Sequence, residues 1–406
     1  MKHLMIAVSV AGSMALTAAA QQPAAPAAAA PDHARALVAQ LDLARYKATI
    51  EGLTGFGDRR EGTERNRNAV DWIEAQLKSY GCETGRVSYD PENPTGEPPV
   101  PRAAGRGRGQ GPGAAAPRTP AGTPDDPFRR GAGNKGFGAR TGVNRDPMAQ
   151  PDETLRAINE GPIVPGKVDL VYCTKRGATR PGEMYIVGAH MDGIGYGAAA
   201  NDDGSGTAIV MELARILNAP GVVTDVSIRF ALWNGEEGGL KGARAYVAQR
   251  RELQGSPGEP TWLGMVQHDM MMFDHGMPNP DGTLRKEQRR EADVNIEFQE
   301  TSKMARESHK LAMIFKNANE QYATDYPATV GQHMQCTDSV PFQDIIPSIS
   351  LRENERRDHI GFGWDPNWHQ TTDVMSTYSD DDFRLGLNAA QTTLAAIAQL
   401  AGAVIK

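Results

Sequence analysis

An ordered series of acids and imidazoles runs through the second half of the chain. It comprises His190-Met-Asp192, Asn201-Asp202-Asp203-Gly204-Ser205-Gly206, Glu236-Glu237, His268-Asp269 and His369. Imidazole nitrogen mixed with carboxylate oxygen is a donor set that suits zinc. Two adjacent glutamates suit two roles, one as ligand and one as base. Taken singly, each motif has an ordinary explanation. A His-x-Asp at a strand end is often a satisfied polar pair, Asp203 is a good helix N-cap, and a Glu-Glu pair is usually solvated. In this order they reinforce one another and point to hydrolysis by a metal-activated water. Within the series, Asp203 is expected to cap while Asp202 faces the metals. Either His268 or Asp269 suits a ligand, Asp274 and His275 follow closely, and His369 competes with His359.

The surrounding pattern supplies the elements that position these groups. Thr84–Tyr89, Val168–Cys173, Met184–Ala189, Leu263–Val266 and Ile345–Leu351 read as strands. Val226, Ile228, Phe230 and Leu232 alternate along another. Helical spacing appears over Asn68–Tyr80, over Asp203–Leu217 and from about Asp381 onward. Strands alternating with helices predict an α/β fold with a mostly parallel sheet covered on both faces. Ligands in such sheets collect at the carboxyl ends of the strands. His190, Glu236 and Asp269 each lie just past such an end.

The bulk properties exclude several classes. A chain of 406 residues with a net charge of −7 argues neither for nucleic acid nor for an acidic tail. Residues 1–20 read as a signal peptide: a basic start at Lys2, an apolar run from Leu4 to Leu16, then Ala18-Ala19-Ala20. Export to the periplasm or the medium is expected, with no integral membrane segment left once the signal is removed. Residues 21–32 form an Ala/Pro-rich lead-in. A Gly/Pro/Arg insertion at about 91–160 interrupts the single domain expected over 33–406. Its part at 101–140 holds seven Arg and one Lys against Asp125 and Asp126. That composition resembles an RNA-binding tract, but a solvated insertion with too little apolar surface to fold is the favoured reading. Three cysteines do not make a disulfide scaffold. Cys82 opens one strand and Cys173 closes the next, so antiparallel pairing of the two would place these residues side by side as a disulfide, with Cys336 left free.

The motifs together make the chain resemble the M28 family of zinc aminopeptidases. The resembling segments are Gly188-Ala-His-Met-Asp192, Ala200-Asn-Asp-Asp-Gly-Ser-Gly206, Asn234-Gly-Glu-Glu-Gly-Gly-Leu-Lys-Gly242, Gln267-His-Asp-Met270 and Trp368-His-Gln-Thr-Thr-Asp373. The resemblance implies a phosphorylase/hydrolase-like three-layer α/β/α sandwich with a mostly parallel mixed sheet. It implies two zinc ions per chain, with His190 and Glu237 on one, Asp269 and His369 on the other, and Asp202 bridging. It further implies Glu236 as general base, Asp192 as the partner that orients His190, and a cis peptide between Asp202 and Asp203. The expected activity is exopeptidase cleavage of a peptide substrate, an aminopeptidase foremost. A carboxypeptidase or dipeptidase of the same family shares every ligand; a one-zinc glutaminyl cyclase and a non-catalytic binding module are the rival classes. Two departures stand out: Gln370 follows His369, which leaves the ligand and the following Asp373 in place, and Thr337-Asp338-Ser339 stands where many relatives have Ser-Asp-His, in a loop that shapes the substrate site and so bears on specificity. The oligomeric state is not fixed by the sequence.

Overall fold

The computed structural model describes residues 31–96, 142–273, 276–278, 284–288, 294–353 and 365–406. The signal segment, most of the lead-in, the basic tract at 101–140, Asp274, His275 and His359 lie outside the described residues. The chain divides into two units, Met1–Asp32 and His33–Lys406, and every element below belongs to the second.

The helices are α1 (His33–Val38), α2 (Leu43–Thr54), α3 (Glu64–Ser79), α4 (Glu153–Asn159), α5 (Gly204–Leu217), α6 (Lys241–Arg250), α7 (Ala305–Tyr322) and α8 (Asp380–Leu400). The strands are β1 (Glu83–Tyr89), β2 (Val168–Lys175), β3 (Arg180–His190), β4 (Val222–Val223), β5 (Val226–Trp233) and β6 (Thr261–His268). They continue as β7 (Gly276–Pro278), β8 (Leu284–Gln288), β9 (Val294–Glu297), β10 (Ala328–Gly331), β11 (Ser348–Glu353) and β12 (Val404–Ile405). Eight of them form one sheet in the order β1-β2-β5-β3-β6-β11-β9-β10. Its centre, β5-β3-β6-β11, is parallel, while β1-β2, β2-β5 and β11-β9 are antiparallel.

Every residue of β5 is buried, as a strand covered on both faces must be. Its Ile228, Phe230 and Leu232 join the larger core, which also holds the apolar sides of α2, α3, α5 and α8. Ala231 and Trp233 join a second, aromatic core with Tyr246, Trp262 and Phe342. Side-chain alternation along one strand thus separates the two layers. The expected three-layer α/β architecture is the observed one.

Caps fix where the helices begin near the strand ends. Asp203 accepts a hydrogen bond from Gly206 N–H at 2.8 Å and starts α5. Thr63 caps α3, and Ser379 with Asp382 forms a capping box on α8. The antiparallel β1–β2 pair sets Thr84 opposite Cys173, and Cys82 and Cys173 form a disulfide with Cα atoms 5.7 Å apart. Cys336 is in no disulfide. The expectation from strand pairing is met.

Candidate metal centre

The carboxyl ends of β3, β5 and β6 lie side by side, so their following residues meet in one place. His190 is the last residue of β3 and Asp269 the first after β6. Register pairs Ala189 with His268, which brings His190 level with Asp269. Glu236 and Glu237 come three and four residues beyond β5, carried by the turn at Asn234-Gly235. Gly235 has φ +73°, and a Cβ there would sit 2.3 Å from Glu61 Oε1, so only glycine fits. Asp202 arrives from the loop ahead of α5 and His369 from the loop ahead of α8, with φ +56° at His369.

These groups form two triads that share one residue. His190, Asp202 and Asp269 offer ligand atoms within 4.8 Å of one another, as do Asp202, Glu237 and His369. His190 Nε2 lies 3.2 Å from Asp202 Oδ1 and 3.9 Å from Asp269 Oδ1. His369 Nε2 lies 2.9 Å from both Asp202 Oδ2 and Glu237 Oε2. Each oxygen of Asp202 therefore faces its own triad. The partners differ from those the resemblance implied: Asp269 goes with His190, and Glu237 with His369. The sheet register explains the exchange, because Asp269 is level with His190, whereas Glu237 projects farther out towards the His369 loop.

Several of these atoms are buried without a hydrogen-bond partner: Asp202 Oδ2, Glu237 Oε1 and His369 Nε2. Close approach without hydrogen-bond geometry is how converging ligands are arranged. Burial opposes charge on His369, but Glu237 and Asp202 overcome it and push its pKa up to about 10. Burial, with the charge of Asp202, pushes Glu237 up to about 7. The field of the carboxylates thus calls for positive charge where the donors converge, and imidazole with carboxylate fits zinc.

Around the triads, polar partners hold the donors in place. Asp203 Oδ2 accepts from His190 N–H at 3.2 Å and Oδ1 from Met270 N–H at 3.2 Å, so the capping residue also ties β3 to β6. The Asp202–Asp203 peptide is cis, as the resemblance implied. Asp192 stands beside both His190 and Glu236. Its backbone carbonyl, not its carboxylate, meets His190 Nδ1, at 2.9 Å. The carboxylate stands 3.8 Å from that nitrogen and accepts the Glu236 N–H at 3.1 Å. His268 is no ligand. Its Nδ1 meets Gly188 O at 3.2 Å and its Nε2 meets the Thr393 hydroxyl at 2.8 Å. Burial lowers its pKa to about 4 and keeps the ring neutral. The Glu236 carboxylate makes no hydrogen bond to any described residue and stands within electrostatic reach of His190, Glu237 and Asp269.

Two contributors were given no role by the sequence. Asp373 accepts from the N–H groups of Asn201 at 2.8 Å and Asp202 at 3.1 Å, cradling the shared residue from behind. Its place four residues after His369 was the available signal. Arg59, fully buried with φ +54°, donates to the carbonyls of Met191 at 2.7 Å, Ala198 at 2.8 Å and Ala199 at 2.8 Å. It clamps the loop between His190 and Asp202, and nothing in its sequence neighbourhood announced that.

An α/β sheet that gathers imidazoles and carboxylates at the carboxyl ends of its parallel strands is the architecture of a metal-dependent hydrolase. The chain belongs to peptidase family M28, whose profile matches residues 170–392. It is 32% identical over 146 residues to an aminopeptidase of Pseudomonas aeruginosa strain UCBPP-PA14, an alignment spanning 33% of this chain and 26% of that protein. The chain spans about a quarter of the length of the curated relatives it matches. In fold it is similar to an aminopeptidase from Aneurinibacillus sp. strain AM-1, with TM-score 0.56 and 16% identity over 93% of this chain and 97% of that one. It is also similar in fold to the Porphyromonas gingivalis glutaminyl cyclase, with TM-score 0.54 and 13% identity over 88% of this chain and 98% of that one.

Proposed function

We propose that this protein is an exported zinc-dependent exopeptidase, an aminopeptidase foremost, with two zinc ions per chain. The observation that carries the reading is the pair of triads sharing Asp202, with the unpartnered carboxylate of Glu236 beside them. His190 and Asp269 would hold one ion, Glu237 and His369 the other, and Asp202 both. Zinc bound there supplies a polarised carbonyl and lowers the pKa of a water from about 15.7 towards 7. The rest falls to the chain's own side chains. Glu236 takes the proton of the attacking water and delivers it to the departing amine. Asp192 fixes Glu236 through its backbone N–H and holds the His190 ring through its own carbonyl, and so positions both without touching substrate. Asp373 keeps Asp202 aimed between the triads.

We read His33–Lys406 as one peptidase domain carrying the insertion. The Cys82–Cys173 disulfide supports export, since such bonds persist in oxidising compartments. No helix among the described residues is long and apolar enough to cross a membrane. The test is a panel of aminoacyl peptides, amino-blocked peptides and amino-terminal glutaminyl peptides, assayed with zinc and with chelator. Release of the first residue only from free amino ends, abolished by chelator and restored by zinc, supports the reading. Pyroglutamate formation without peptide cleavage would replace it with the cyclase, whose fold is shared.

A further inference from the structure

We propose that the cleft opening at Glu237 carries a carboxylate-binding subsite built on Arg60 and Arg145, so that peptides bearing a carboxylate are its favoured substrates. The inference rests on the peptidase reading above and names its substrate class. The cleft encloses about 610 Å³ and is lined by Asp192 and Glu237 of the candidate centre together with Arg60 and Arg145. Both arginines are exposed.

Charge accounting singles them out. The other charged residues on that wall are paired with each other or with neighbours. Asp58 accepts from Arg65 at 2.8 and 2.9 Å, and Glu61 accepts from Lys241 at 2.6 Å. Two divalent ions would offset Asp202, Glu237, Asp269 and Glu236. Asp192, whose carboxylate accepts the Glu236 N–H, is the one negative charge of the wall left over, so Arg60 and Arg145 leave the wall positive. Among the described residues the Arg60 and Arg145 guanidinium groups have no partner, since the hydrogen bond of Arg60 to Asp58 uses its backbone N–H.

Both arginines ride on backbone tied to the ligand loops. Asn144, just before Arg145, donates its N–H to the carbonyl of His369 at 3.0 Å and an Nδ2 hydrogen to Gly195 O at 3.1 Å. Gly195 permits that approach: its φ is +99°, and a Cβ there would stand 2.3 Å from His369 O. Arg60 follows Arg59, the clamp on the loop between His190 and Asp202. The backbone that carries the two side chains is therefore anchored beside the centre, and a guanidinium fork matches a carboxylate in shape and charge. The carboxylate comes either from the carboxyl end of a short peptide or from an acidic side chain.

The test compares kcat/KM of the zinc-loaded protein for Leu-Gly against Leu-Gly-amide, and for Leu-Glu-amide against Leu-Gln-amide. The first pair reads a terminal carboxylate and the second a side-chain one. At low salt at least one acid should exceed its neutral partner by about tenfold, and the advantage should shrink as salt screens it. In Arg60→Gln/Arg145→Gln the ratio should fall towards one, and in Arg60→Lys/Arg145→Lys part of it should return. No preference in the unaltered protein, or a preference that survives in the glutamine variant, overturns the subsite. If the protein cleaves none of these peptides, the peptidase reading falls, and calorimetric binding of the same four peptides then decides. Carboxylate-selective binding lost in the glutamine variant supports the subsite; equal binding of acid and neutral peptide overturns it.

Discussion

Glu236 and Glu237 are neighbours in sequence with different surroundings, so they should fail differently. On the proposed reading Glu237→Gln removes a ligand that faces His369, so it should lower bound zinc, with added zinc restoring part of the rate. Glu236→Gln keeps the shape and, on the same reading, removes the proposed base, so it should retain metal and lower kcat by roughly 10²–10⁴-fold with a smaller change in KM. Zinc content and steady-state rates of the two variants check this; zinc lost from Glu236→Gln and kept in Glu237→Gln would reverse the roles. His268 offers a second test. Its pKa is lowered to about 4 by burial, so the unfolded chain binds a proton below about 6.5 that the folded chain refuses. Its stabilisation is complete above that pH and is lost as pH falls towards 4, by up to roughly 3 kcal/mol. Thermal melts of chelator-treated protein from pH 7 to 4 should be less steep in His268→Gln; an unchanged slope would show that the ring does not titrate this way. At this scale the sequence pointed to the residues that the fold brings together and separated capping Asp203 from Asp202. It could not divide the donors into triads, because that depends on β3–β6 register and on how far Glu237 projects past β5.

At the scale of elements, apolar alternation exposed β5, and cap chemistry exposed α5, since both signals are local. The Cys82–Cys173 bridge was legible because two strands joined antiparallel put their ends together. It closes a loop of 91 residues, so Cys82→Ala/Cys173→Ala should destabilise by about 2–4 kcal/mol, lowering Tm by roughly 3–6 °C. Reductant should do the same to the parent protein and nothing to the variant, and equal Tm values for parent and variant would refute it. Arg59 was illegible because the carbonyls by which it clamps the loop between His190 and Asp202 are brought close only by the fold, from more than a hundred residues away. Arg59→Lys keeps a charge but loses the fork, and a merely structural role would leave the centre as it is in whatever protein stays folded. Displaced donors should instead change the visible absorption of the cobalt-substituted protein and lower kcat more than they raise KM. An unaltered cobalt spectrum in the folded variant would reduce Arg59 to packing.

For the molecule as a whole, the candidate centre lies where otherwise independent parts meet. Its donors come from the end of β3, the residue after β6, the turn after β5, and the loops ahead of α5 and α8. In the unfolded chain these residues are spread from 190 to 369 and cannot converge on one ion. Metal therefore binds the folded state in preference, and binding must appear as stability. At free zinc about a thousandfold above its dissociation constant, one site adds about 4 kcal/mol. Two sites should raise Tm by several degrees in a domain of this size. The rise should be complete at two equivalents of zinc in a titration that follows both Tm and bound metal. Asp202→Asn, which weakens the residue common to both triads, should lower the affinity of both sites together, while Glu237→Gln should spare the His190–Asp269 side. A titration that ends at one equivalent, or an Asp202→Asn protein that loses one site and keeps the other intact, would mean that Asp202 does not join two ions and that the centre holds a single one.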